Sequence, residues 1–247
     1  MLFNLGRGQM KVELTETPKN PIIIEGFPGF GFVATIATEY LLDHLKFKSI
    51  GKITSEDINP VAIIHDSKVV QPLEIFYNKK HNIVVLQALT GIKDMEWETV
   101  KAIASLYKKL DAKELISVEG IASSVEREEP EAYYYTNASS NKKKLEKADL
   151  NPLEEGIILG ISGALILKLP KEVKSTFIFA ETHSKLPDSR AAAKIIKILD
   201  KYLGLKIDPK PLLKKADKFE EKLKNILAQT QKAKKVKKKK ETASYVS

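Results

Sequence analysis

The sequence predicts an α/β fold built around a mixed, mostly parallel sheet. Three observations lead there. Short Val/Ile/Leu runs alternate with helical patterns along the 247 residues. Several of these runs are continuously apolar, the mark of strands buried on both faces. The region 61–89 reads as hairpins rather than crossovers, which adds an antiparallel portion to the sheet.

The elements follow in order. Residues 1–10 lack the apolar core and cleavage site of a signal peptide and read as an extension, with Met10 a second candidate initiator beside Met1. A first strand is expected at 22–25, running into Gly26-Phe27-Pro28-Gly29-Phe30-Gly31 and a helix at 31–44. Strands are expected at 50–54, 61–65, 73–77 and 83–89, separated by turns at Lys68 and Asn78-Lys79-Lys80-His81-Asn82. A helix at 96–110, a strand at 114–118, a helix at 139–148 and strands at 157–161 and 176–181 come next. The helix at 189–203 is well signalled. Asp188 or Ser189 can cap its start, Ala191, Ala192, Ile195, Ile196 and Leu199 form its stripe, and Gly204 ends it. A last helix is expected at 210–232, where Leu212, Ala216, Phe219, Leu223 and Ile226 repeat at spacings of 4 and 3, the seam of a helix that packs on its own domain or pairs between subunits.

Composition narrows the function. The chain has no cysteine, so disulfides, thiolate metal sites and a cysteine nucleophile are excluded. Its apolar stretches fall short of the roughly 20 residues of a bilayer helix, so no membrane partner and a cytoplasmic location are expected. The net charge of +9 is mostly local, because residues 228–247 carry seven lysines against Glu241. Nucleic-acid binding is therefore expected only through the tail, with steep salt dependence.

Candidate chemistry is sparse. Gly29-Phe30-Gly31-Phe32-Val33-Ala34 fits the spacing of a dinucleotide loop, but four bulky residues (Phe27, Pro28, Phe30 and Phe32) crowd the turn and favour a rigid apolar elbow. No cofactor and no metal are expected. Glu25, Glu119 and Glu181 stand at or just past strand ends, where clustered carboxylates can raise one another's pKa and serve as acid or base. With His183 they form the catalytic set of an alternative enzyme reading. His65 also follows a strand, while His44 and His81 fit a helix end and a turn. Ser162, in Gly160-Ile161-Ser162-Gly163, lacks nucleophile-elbow spacing. Tyr133, Tyr134 and Tyr135 combine apolar area with polar tips, as interface residues do, or else fill an ordinary edge strand.

Taken together, Glu25-Gly26-Phe27-Pro28-Gly29-Phe30-Gly31-Phe32-Val33, Gly160-Ile161-Ser162-Gly163, and Leu186-Pro187-Asp188-Ser189-Arg190-Ala191-Ala192 leading through Leu203-Gly204-Leu205 to Asp208 resemble one family across residues 12–227. It is that of the archaeal relatives of the eukaryotic proteasome assembly chaperones. The resemblance implies a three-layer α/β/α sandwich like the nucleoside phosphorylase and hydrolase-like folds. It also implies a homo-oligomer and ATP-independent action on proteasome α-subunits or a related assembly partner. The expected layout is an extension at 1–10, the α/β/α domain at 11–208, a C-terminal helix at 209–231 and a flexible lysine-rich tail at 232–247. Interface candidates are Phe27, Phe30, Tyr133, Tyr134, Tyr135, Leu212, Phe219, Leu223 and Ile226. Some relatives dock by a C-terminal hydrophobic-Tyr-any motif. Here Tyr245, Val246 and Ser247 place the tyrosine third from the end, so these three are tail-contact candidates that depart from the motif. The alternative function is a nucleoside phosphorylase-like or hydrolase-like enzyme with a carboxylate-lined cleft.

Overall fold

The computed structural model describes residues 10–58, 63–65, 68–89, 92, 94–123, 127, 129–182 and 186–214. In chain order the elements are β1 (Lys11–Leu14), β2 (Ile22–Gly26), a 3-10 turn (Phe30–Phe32), α1 (Val33–His44), β3 (Lys48–Thr54), β4 (Ile63–His65), β5 (Lys68–Val70), β6 (Leu73–Asn78) and β7 (Ile83–Ala88). Then come α2 (Glu96–Leu110), β8 (Glu114–Ala122), β9 (Ala132–Thr136), a second 3-10 turn (Ser139–Asn141), α3 (Lys142–Lys147), β10 (Asn151–Pro152), α4 (Gly160–Lys168), β11 (Ser175–Thr182), α5 (Ser189–Leu203) and α6 (Lys210–Lys214).

Nine strands form one mixed sheet in the order β1-β3-β6-β7-β2-β8-β11-β9-β10, and β4 and β5 form a separate hairpin. The four central strands, β7, β2, β8 and β11, run parallel. Antiparallel pairs flank them, β6 with β7 on one side and β9 with β11 on the other. The centre reads as continuous apolar sequence because helices cover both faces. Ile24, Val85, Ile116, Val118, Ile178 and Ala180 pack under α1 and α5, while Ile23, Val84, Leu86, Leu115, Phe177 and Phe179 pack under α2 and α4. Met10 already belongs to the second core, where Thr99 Oγ1 donates to its sulfur at 3.4 Å.

The helices at 96–110 and 189–203 stand where the sequence places them. Asp188 caps α5 by accepting from the Arg190 and Ala191 amides at 3.0 and 2.9 Å, and Gly204 closes it with φ 70°. One element differs in kind. The expected strand at 157–161 is an irregular approach followed by α4, because Gly160 at φ +65° breaks the extended chain. Its apolar side chains surround the whole helix, so no periodicity betrayed it. Lys68, expected in a turn, is the first residue of β5, paired with His65. Short β1 and β10 are additions to the expected set, and the tyrosines form a strand, β9, paired on both sides rather than at the edge. The expected last helix is described only as α6, and the remainder of 215–232 lies outside the described residues.

The two ends of the sheet differ. β1 presents four residues of alternating exposure, antiparallel to β3. β10 is two residues long and ends on Pro152.

Candidate functional site

The carboxyl ends of β2, β8 and β11 are where an open α/β sheet positions its functional groups. Register brings Glu25 opposite Ser117, and Glu181 opposite Ile121 two residues beyond Glu119. Alternation therefore sets Glu25, Ser117, Glu119 and Glu181 on the face that α2 and α4 cover.

Glu25 is fully enclosed. Its Oε1 accepts from the Phe27 amide at 2.9 Å and its Oε2 from Ser117 Oγ at 2.6 Å. Ser117 Oγ lies 3.1 Å from Ser162 Oγ on α4, and Ser162 hydrogen-bonds Glu119. Glu119 Oε2 is buried with no partner. Burial pushes Glu25 up to about 8. Its hydrogen bond from Ser117 opposes the rise, and the like charge of Glu119 adds to it. Burial likewise lifts Glu119 to about 7 against the hydrogen bond from Ser162.

Glu181 has different company. Its Oε2 accepts from Arg127 Nη1 at 2.8 Å, and the Tyr133 hydroxyl is 3.5 Å from its Oε1. Tyr133 donates more strongly to Glu131, at 2.6 Å, and that bond, with burial, pushes its phenol up to about 12. The three glutamates thus divide between a serine-linked pair and an ion-paired cluster, with Glu119 within β8 rather than past its end. His183 lies outside the described residues. Among the described residues, no group of three or more His, Cys, Asp or Glu could hold a metal ion.

The turn after β2 is packed from both sides. A Cβ on Gly29 would stand 2.8 Å from Glu119 Oε1. One on Gly31, which has φ +63°, would stand 2.7 Å from Thr182 Oγ1. One on Gly120 would stand 2.2 Å from the Phe30 carbonyl oxygen. The glycines bring backbone hard against the sheet, and the space a phosphate would need is filled by the chain's own side chains.

The aromatic candidates separate by strand alternation. Tyr134 is buried beneath the α1 and α5 layer. Tyr133 and Tyr135 point to the other face, where Tyr135 stays exposed beside Phe177 at a ring distance of 6.0 Å. Phe27 is core, Phe30 is partly exposed, and Leu212 is buried where α6 meets α5. Phe219, Leu223, Ile226, Tyr245, Val246 and Ser247 lie outside the described residues.

Apart from Tyr135, the exposed large apolar side chains of this layer were not candidates from sequence. Ile157, Leu159 and Leu167, on α4 and its approach, are 88%, 75% and 72% exposed, with Trp97 of α2 and Tyr135 also uncovered. Lys168 Nζ lies 5.9 Å from the Trp97 ring centre. The signal that could have found them is an apolar helix with no polar side.

The sequence model described as the PAC2 family matches residues 23–227. An uncharacterised protein of Methanocaldococcus jannaschii is 27% identical over 218 residues, which cover 85% of this chain and 87% of the relative. The fold is similar to that of Pyrococcus furiosus PbaA, described as an archaeal homolog of proteasome-assembly chaperone. The TM-score is 0.82 at 31% identity, covering 91% of this chain and 99% of that one. The fold is also similar to that of P. furiosus PbaB, described as an archaeal proteasome activator, with a TM-score of 0.73 at 23% identity over 88% and 98% of the two chains.

Proposed function

The chain belongs to the PAC2 family, and from this premise we propose that it is an ATP-independent assembly chaperone acting as a homo-oligomer on proteasome α-subunits. The observation that carries the proposal is the match to PbaA along nearly the whole of both chains. The site chemistry supports it. Glu25 and Glu119 are tied to the protein's own serines and Glu181 to its own arginine, so the carboxylates serve the fold before they serve a substrate. The exposed apolar side chains of α4 and its approach, the exposed Tyr135 and the partly exposed Phe30 and Tyr133 have the composition of docking residues: aromatic and aliphatic area with polar tips.

The proposal keeps the architecture akin to nucleoside phosphorylase and hydrolase-like folds. It also keeps the division into an extension (1–10), a domain (11–208), a helix (209–231) and a lysine-rich tail (232–247). Phe219, Leu223 and Ile226 would serve subunit pairing, and Tyr245, Val246 and Ser247 partner contact. Native mass spectrometry of the full chain, alone and mixed with proteasome α-subunits, tests it. A defined homo-oligomer that captures α-subunits is expected. A chain that binds none of them overturns the chaperone assignment.

A further inference from the structure

We propose that Glu25, Ser117, Ser162 and Glu119 form a proton-loaded clamp, in which one shared proton fastens α4 to the sheet and its loss loosens that helix. Counting protons leads to this. Three oxygen–oxygen links join the four side chains: Glu25 to Ser117, Ser117 to Ser162, and Ser162 to Glu119. The two serine hydroxyls supply two protons. All three links are hydrogen bonds only when a carboxyl supplies the third.

With that proton in place the chain runs unbroken from β2 through β8 to α4. Without it two carboxylates compete for two hydroxyl protons, one link fails, and both charges stand in the interior. The partnerless Glu119 Oε2 sharpens the effect, because an unpaired oxygen costs less on a neutral acid than on an anion.

Of the elements around the network, α2, packed against α4, carries Glu96, Glu98, Lys101, Tyr107, Lys108 and Lys109, and Glu98 Oε2 is buried without a partner. α4 carries no ionisable residue before Lys168, at its far end, and β7 carries none. The turn from Phe27 to Phe32 is equally free of them. On α1, Glu39 accepts from Gln87, and on β11, Glu181 is paired with Arg127.

The sign follows from proton binding. Burial lifts both carboxyls above their ordinary value of 4.5, so the folded chain binds more protons than the unfolded one between that value and about 8. Stability contributed by the network is present at low pH and falls as pH rises through this window. The clamp is a property of the fold and stands apart from the partner assigned above.

Amide hydrogen exchange of the full-length protein, corrected for intrinsic rates, tests it at about pH 6 and about pH 9. α4 amides are expected to lose roughly tenfold or more protection relative to α2 amides at the higher pH. In Glu119→Gln, whose amide is a permanent donor to Ser162, that difference should vanish. Glu25→Gln gives the same comparison from the other end if the first variant does not fold. Infrared spectra of the wild type should also show a protonated carboxylic acid band at about pH 6 that fades by about pH 9. α4 protection that tracks α2 at both pH values, a wild-type slope in the Gln variants, or no acid band would overturn the clamp.

Discussion

Gly120 sits where two elements nearly touch. Its missing side chain lets the Phe30 carbonyl reach β8, and any Cβ there collides with backbone rather than with a movable side chain. Gly120→Ala is therefore expected to destabilise the protein by about 3 kcal/mol or more, read by denaturant unfolding. The same logic separates two buried acids. Glu114 is held by the Tyr202 hydroxyl at 3.0 Å, by Thr176 Oγ1 at 2.6 Å and by Asn141 at 2.9 Å, whereas Glu119 keeps one oxygen unpaired. A buried acid with a full set of donors is a fixed brace, and one short of donors is responsive to its proton.

Among the elements, α4 departs most from what its sequence suggests. It packs Ile161, Ala164 and Leu165 inward and leaves Leu159 and Leu167 outward. Leu159→Asp with Leu167→Asp should leave monomer stability within about 0.5 kcal/mol, since both side chains are exposed. The same pair should abolish the oligomer or the capture of α-subunits in native mass spectrometry. Unchanged assembly would move the docking face away from α4.

α2 and α5, whose period matches one buried face, were legible in sequence, and the central strands were legible as unbroken apolar runs. α4 was not legible, because a helix apolar on both its core and outer sides has no period to read. The strand-end position of Glu25 was also legible, whereas β8 runs past the expected end at 118 to Ala122 and holds Glu119 within the strand. Ser117 as their link was not, since only the β2–β8 register brings it opposite Glu25. Tyr133 and Tyr135 were read as one cluster with Tyr134, and the two-residue alternation of β9 divides them.

Charge belongs to the whole molecule. The lysine-rich segment beyond residue 231 holds most of the net positive charge. Deleting residues 232–247 should abolish any retention on nucleic acid while leaving subunit assembly intact. Retention by the full chain should fall steeply with added salt. Retention that survives the deletion would locate the basic surface on the folded domain instead.

The sheet's unequal ends set a limit on how copies of this chain can join by backbone pairing. A growing fibril of sheets needs two usable margins per copy, one to receive and one to offer. At β10 the ladder is two residues long and its last member, Pro152, has no N–H to give. Among the described residues of the nine-stranded sheet β1 is the other margin, and two copies meeting there by β1 consume each other's. Edge-to-edge pairing through this sheet is thus self-terminating at two, which leaves larger assemblies to other surfaces.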